Sequence, residues 1–274
     1  MWLSDAMPAE SAPRSIRIAA VADTHLRPAV AGRFRPDFLR LAEHADVLLL
    51  AGDLTEGGTL ADADLLRAEI ADLPVPVVAV LGNHDHDRRL GFRISAQLSG
   101  IGVHMLEGTA VTLELNGIRL GVAGVMGGSG GFPGYPGTPD EGTEEHRTRM
   151  RRGPLDAELL RQSLDTLDTD VRVALMHFSP VIDTLAGEPP RIYPGLGCHA
   201  LGEAVDAGRA ALAVHGHAHG VPNSVAPQAE SLPAMSHTRS SVARMPSTPS
   251  PRHKRGRPEP TPHAGSQGGA AAHL

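Results

Sequence analysis

The chain has 274 residues, 41% hydrophobic and 20% charged, with a formal net charge of -6, which is enough for one large domain or two small ones. The acidic balance excludes a global basic field for non-specific nucleic-acid binding, and the one cysteine, Cys198, excludes an intrachain disulfide framework. Apolar runs fall well short of the roughly 20 residues of a membrane helix. The opening MWLSDAMPAESAPR (1–14), expected to be flexible, has acids and prolines where a signal peptide carries basic and apolar segments, so the expectation is a cytoplasmic protein without a membrane partner. Taken in chain order, SIRIAAVAD (15–23), DVLLLAGD (46–53) and VPVVAVLGN (75–83) read as buried strands. Helix-like segments at 35–45 and 60–73 separate them, giving β-α-β-α-β order and parallel pairing. In TAVTLELNGIRLGVAGV (109–125), Asn116-Gly117 splits two alternating runs as a type I′ hairpin does. The Gly/Pro-rich 127–142 predicts a flexible rim without regular structure, and 154–167 a helix with Pro154 in its first turn. Two further strands follow, VRVALMHF (171–178) and AALAVHGH (210–217). From residue 221 onward, six basic residues against two acids and a Pro/Ser/His/Gly-rich composition predict a disordered tail, 221–274.

All five strand patterns end in polar clusters: Asp23-Thr24-His25, Gly52-Asp53, Gly82-Asn83-His84-Asp85, His177, and His215-Gly216-His217-Ala218-His219. In open α/β sheets the carboxyl ends of strands line the binding crevice, so five strands in phase aim Asp, Asn and His at one place. This also accounts for a composition with 15 histidines but only 3% Phe, Trp and Tyr. Oxygen and imidazole donors without a sulfur set suit manganese, iron, zinc, nickel or cobalt in an open site. About seven donors exceed one ion's needs, whereas a pair of ions about 3.5–4 Å apart sharing a carboxylate uses them all. His44, His104, His146 and His199 show no such spacing, Cys198 reads as a packing thiol, and His86 and Asp87 are ambiguous.

The series D-x-H, GD, GNHD, H, GHxH resembles the calcineurin-like metallophosphoesterases over residues 15–220, with all five blocks in the family's order. The resemblance implies a four-layer αββα sandwich of two mixed β-sheets, with a dimetal site at the strand C-terminal ends. It implies that Asp23, His25 and His219 hold one ion, that Asn83, His177 and His217 hold the other, and that Asp53 bridges them. His84 corresponds to the family's catalytic histidine. The implied reaction is attack of a metal-activated hydroxide on phosphorus in line, with His84 protonating the leaving oxygen. The implied partner is a small phosphoester; contact of PRHKRGR (251–257) with nucleic acid is the less favoured reading of that run.

Departures narrow the reading. Protein phosphatases of the superfamily carry GDxxDRG, whereas here the block is Gly52-Asp53-Leu54-Thr55-Glu56-Gly57-Gly58, with Gly57 at the phosphate-holding arginine position. Arg27 is a candidate replacement. Glu56 or Asp85 is expected to orient His84 through its carboxylate, and His215 either supports the site from behind or plays a structural role. Loss of the arginine and the GHxH ending favour phosphodiesters over monoesters. The alternative function is a catalytically inactive scaffold of the same fold. The family's further strands after GHxH are expected to be missing or altered.

Overall fold

Apolar runs buried on both faces set the architecture. The computed structural model describes residues 15–219 and 241–243. In order, the elements are β1 (Ile18–Val21), α1 (Arg35–Leu39), β2 (Val47–Ala51), α2 (Leu60–Ile70), β3 (Val77–Val80), α3 (Gly91–Ser99) and β4 (His104–Met105). They continue with β5 (Thr109–Leu115), β6 (Ile118–Gly124), β7 (Gly131–Phe132), β8 (Tyr135–Pro136), α4 (Glu144–Asp165), β9 (Val171–Leu175), α5 (Tyr193–Leu196), α6 (His199–Ala207), β10 (Leu212–His215) and β11 (Ser241–Ala243). One sheet has the order β1-β2-β3-β4 and the other β11-β10-β9-β6-β5. The first is parallel throughout rather than mixed, because a helical crossover joins each of its strands to the next. The second is mixed, with β6, β9 and β10 parallel and antiparallel strands at both edges.

Strand alternation assigns each apolar side chain to a layer. Leu48 and Leu50 pack with Phe38, Leu66 and Ile94 beneath the first helices. Val47, Leu49 and Ala51 face the other way and meet Leu120, Val122, Val173 and Val214 of the second sheet. On that sheet's outer face, Ala123 and Ala174 pack with Leu160 and Leu164 of α4 and Leu201 of α6. Helix, sheet, sheet, helix: the fold is the αββα sandwich. No helix among the described residues is long and apolar enough to cross a membrane.

The hairpin forms as read, with Asn116 at φ 53 and Gly117 at φ 72 in the two positive-φ turn positions. Three other expectations change. The helix expected over 35–45 breaks after Leu39 and continues only as a 3-10 turn, Leu41–Glu43. The carbonyls of Ala42 and Glu43 accept instead from the Arg17 guanidinium. The glycine-rich 127–142 contains the β7-β8 ribbon, and it is pinned by Gly130 N–H donating to the Pro194 carbonyl and Gly131 N–H to that of Gly197. The helix expected to open at Pro154 opens at Glu144, where Thr143 caps it by accepting from His146 N–H at 3.2 Å. Pro154 lies inside α4, and the Gly153 N–H donates across to Ser129 O at 3.1 Å.

Within the segment expected to be disordered, Ser241–Ala243 instead extend the second sheet antiparallel to β10, so a strand does follow the GHxH block. The expectations for residues 1–14 and for the rest of the tail lie outside the described residues.

Candidate metal centre

Every polar cluster of the sequence sits just past the carboxyl end of a strand: β1 leads to Asp23 and His25, β2 to Asp53, β3 to Asn83 and His84, β9 to His177, and β10 to His217 and His219. The backbone there is strained. Asp23 (φ 54), His25 (φ 43), Asp53 (φ 47) and His217 (φ 69) all occupy the left-handed region, which costs a non-glycine residue about 1–2 kcal/mol. Such strain persists only where the surroundings over-determine it, typically at functional sites. The glycine before three of the clusters has a steric reason. A Cβ on Gly52 would lie 2.6 Å from the His177 ring, one on Gly82 would strike Asp53 N and Oδ1, and one on Gly216 would lie 2.5 Å from Asp23 Oδ2.

The structure brings all eight side chains to one cleft between the sheets. Their donor atoms form three overlapping groups, Asp23–His25–His219, His25–Asp53–His84 and Asp53–His177–His217, with the atoms of each group within 4.8 Å of one another. Asp53 is central. Its Oδ1 accepts from the His84 backbone N–H at 2.9 Å and lies 3.3 Å from His177 Nε2, while its Oδ2 lies 3.9 Å from His25 Nε2 and 4.0 Å from His84 Nε2. Asn83 Oδ1 joins from 3.2 Å of His177 Nε2. Asp23 accepts from the His217 backbone N–H at 3.2 Å, and its Oδ1 is 3.2 Å from His219 Nε2.

Backbone carbonyls set the tautomers. The Ala51 carbonyl, 2.9 Å from His177 Nδ1, can only accept, so Nδ1 carries the proton and a neutral ring presents a bare Nε2 to the cleft. The Glu56 carbonyl does the same for His84 Nδ1 at 3.0 Å. This corrects the expected orienting group. The Glu56 carboxylate is turned away, paired with Arg27 Nη1 at 2.7 Å and 3.5 Å from His25 Nδ1. The Asp85 carboxylate is fully buried and occupied with Leu54 N–H, Gly82 N–H, Thr55 N–H and Thr55 Oγ1, fastening the Asp53 loop to the His84 loop. The carboxylate beside His84 is Asp87, 3.5 Å from Nδ1 and one 3-10 turn along. That i,i+3 spacing was the available signal. His215 is buried with Nδ1 against the Gly216 carbonyl, behind the cleft.

Electrostatics favour cations. Burial opposes charge on His177, but its contact with Asp53 outweighs that and pushes its pKa up to about 9. Burial likewise raises Asp53, yet His177 and the His84 N–H hold it well below the usual carboxylate range. Burial depresses His215 to about 4 and His217 to about 3, so both rings are neutral at pH 7. A buried Asp53 anion surrounded by imidazoles is a site in which a divalent ion competes with protons. Both ring nitrogens of His25 are buried without a hydrogen-bond partner among the described residues, as groups awaiting a ligand would be. Oxygen and imidazole donors complete the fit.

Beside the cluster lies a cavity of about 450 Å³, lined by Asn83, His86, Asp87 and His217 together with Glu145 and Arg149 of α4. Sequence reading missed the α4 residues because it placed no helix over 144–153.

Two face-to-face sheets flanked by helices, with carboxylate and imidazole donors gathered at the strand ends, define an αββα fold with a candidate metal centre. The profile of the calcineurin-like phosphoesterases matches residues 16–221, and the chain belongs to that family. Over 45 residues it is 47% identical to a probable cyclic nucleotide phosphodiesterase of Synechococcus sp., a match covering 16% of this chain and 18% of that protein, so the chain spans under a fifth of this curated relative. The crystal structure of TT1561 of Thermus thermophilus shares the fold, with a TM-score of 0.53 and 19% identity over 73% of this chain and 81% of that one. The family is one of metal-dependent phosphoester hydrolases.

Proposed function

We propose that the protein hydrolyses a small phosphodiester with two bound divalent ions. Asp23, His25 and His219 would hold one ion and Asn83, His177 and His217 the other, with Asp53 available to both. The observation that carries this reading is the central Asp53, shared between two of the donor groups, His25–Asp53–His84 and Asp53–His177–His217. The ions supply Lewis-acid stabilisation of the phosphoryl oxygens and lower the pKa of water towards 7. His84 presents Nε2 to the cleft because Glu56 O holds its other nitrogen, and in its imidazolium form it donates the Nε2 proton to the departing oxygen, leaving a neutral ring. Asp87 steadies the imidazolium before that transfer. Gly57 offers no cation to a dianion from its loop, and the likeness to a probable cyclic nucleotide phosphodiesterase also favours diesters.

The test is turnover of bis-p-nitrophenyl phosphate against p-nitrophenyl phosphate with manganese, nickel or zinc. The proposal expects metal-dependent hydrolysis with the higher kcat/KM on the diester. A higher value on the monoester overturns the diester preference, and no turnover with any ion overturns the hydrolase.

A further inference from the structure

The sequence lacks an arginine at position 57 to hold phosphoryl oxygens, and its candidate replacement is spoken for: Arg27 is paired with Glu56 at 2.7 Å. Helix α4 tells a different story. The α4 stretch Arg147-Thr148-Arg149-Met150-Arg151-Arg152 carries four arginines. Three have carboxylate partners: Arg147 with Glu144 at 2.6 Å, Arg151 with Asp140 at 3.0 Å and Arg152 with Asp156 at 2.7 Å. Arg149 has no ion pair among the described residues, although Glu145 stands one turn before it on the same helix, the spacing at which such pairs commonly form. It lines the same cavity as Asn83 and His217. The other carboxylate of that cavity, Asp87, lies 3.5 Å from His84.

We propose that Arg149 binds the substrate's phosphoryl oxygens, so that α4 of the second half supplies the cation that the β2 loop lacks. The inference rests on the phosphoester-hydrolase reading and deepens it. Guanidinium presents two parallel N–H donors to a phosphoryl group, and it does so best where no carboxylate already occupies the fork. The placement depends on α4 being continuous from Glu144 through Pro154. Gly153 permits this by coming so close to the 127–130 loop that a Cβ there would strike Ser129 O.

The experiment uses the full chain loaded with manganese and inorganic phosphate as the probe, by calorimetry and as a competitive inhibitor of bis-p-nitrophenyl phosphate hydrolysis. Arg149→Ala is expected to weaken phosphate binding about 10- to 100-fold with metal content and thermal midpoint unchanged. Arg149→Lys recovers part of the loss, as a point charge without the fork. Arg151→Ala, which removes a paired arginine from the same helix, leaves phosphate affinity within about threefold. Wild-type affinity in Arg149→Ala overturns the proposal, as does an equal loss in Arg151→Ala or a loss confined to Arg27→Ala. If Arg149→Ala loses phosphate while the wild type turns over no phosphoester, the arginine assignment stands and the hydrolase reading falls. If the wild type hydrolyses the diester and Arg149→Ala keeps its phosphate affinity, the reverse holds.

Discussion

The residues that define the cleft are the ones in costly backbone conformations. Asp23, His25, Asp53 and His217 all lie at positive φ, and Gly52, Gly82 and Gly216, which precede Asp53, Asn83 and His217, are fixed by what a Cβ would strike. Gly82→Ala is therefore expected to push Asp53 out of position. Stability falls by about 1–3 kcal/mol or more, and bound metal per chain drops, measured by thermal melts and elemental analysis. A variant that melts and loads like wild type would show that Asp53 tolerates displacement. The polar strand ends were legible because each is a short motif directly after an apolar run. Arg149 and the Glu56 carbonyl were not: one reaches the cavity from an element far along the chain, and the other is a main-chain group, invisible in a pattern of side chains.

At the scale of elements, strands with both faces buried announce themselves as unbroken apolar runs, as β2 and β3 do, and the short apolar runs of β1, β9 and β10 were legible in the same way. The start of α4 was obscured by Pro154, though Thr143 followed by Glu144 and Glu145 is a helix opening in its own right. The β7-β8 ribbon and β11 escaped because backbone contacts to distant segments hold them, and their own side chains carry no periodicity for those contacts. Two element-scale predictions follow from polar ties. Asp156 accepts from Gly127 N–H at 3.0 Å, next to Met126, whose carbonyl receives the backbone N–H of His177 and Phe178. Asp156→Ala is expected to cost about 1–3 kcal/mol and to weaken metal loading, whereas an unaltered metal affinity would confine Asp156 to stability. Asp46, ahead of β2, accepts from Arg17 N at 2.7 Å and Arg17 Nη2 at 2.8 Å, ahead of β1. The Arg17 hydrogen bond holds the Asp46 carboxyl below its ordinary range. Its contribution is thus fully present above the unfolded carboxylate pKa and lost as pH falls through the lowered one. Asp46→Asn should lower the thermal midpoint at pH 7, and the gap to wild type should close as the pH drops below the carboxylate range. A gap independent of pH would contradict the ion pair.

For the whole molecule, the cleft joins two sheets that also meet through an apolar core. Asp23, Asp53 and Asn83 come from the first sheet, and His177, His217 and His219 from the second. Metal held between them would bind the native state and not the unfolded one, which at free metal 100 times Kd contributes about 2.7 kcal/mol. For a domain of this size, chelation is then expected to lower the thermal midpoint by roughly 5–10 °C, reversed by added manganese. The absence of a shift would contradict metal binding to the native state at these residues. The layered fold was only half legible at this scale: the β-α-β order spelled out the parallel half, while the second sheet rested on the family resemblance until the three apolar cores located it.

The central claim is that His84 acts on the substrate beside a metal pair it does not hold. The most direct measurement is bis-p-nitrophenyl phosphate turnover together with metal content for manganese-loaded wild type and His84→Ala. The expected result is a fall in kcat of at least about 100-fold with two ions per chain retained. Near wild-type turnover in His84→Ala, or loss of an ion along with activity, would contradict it.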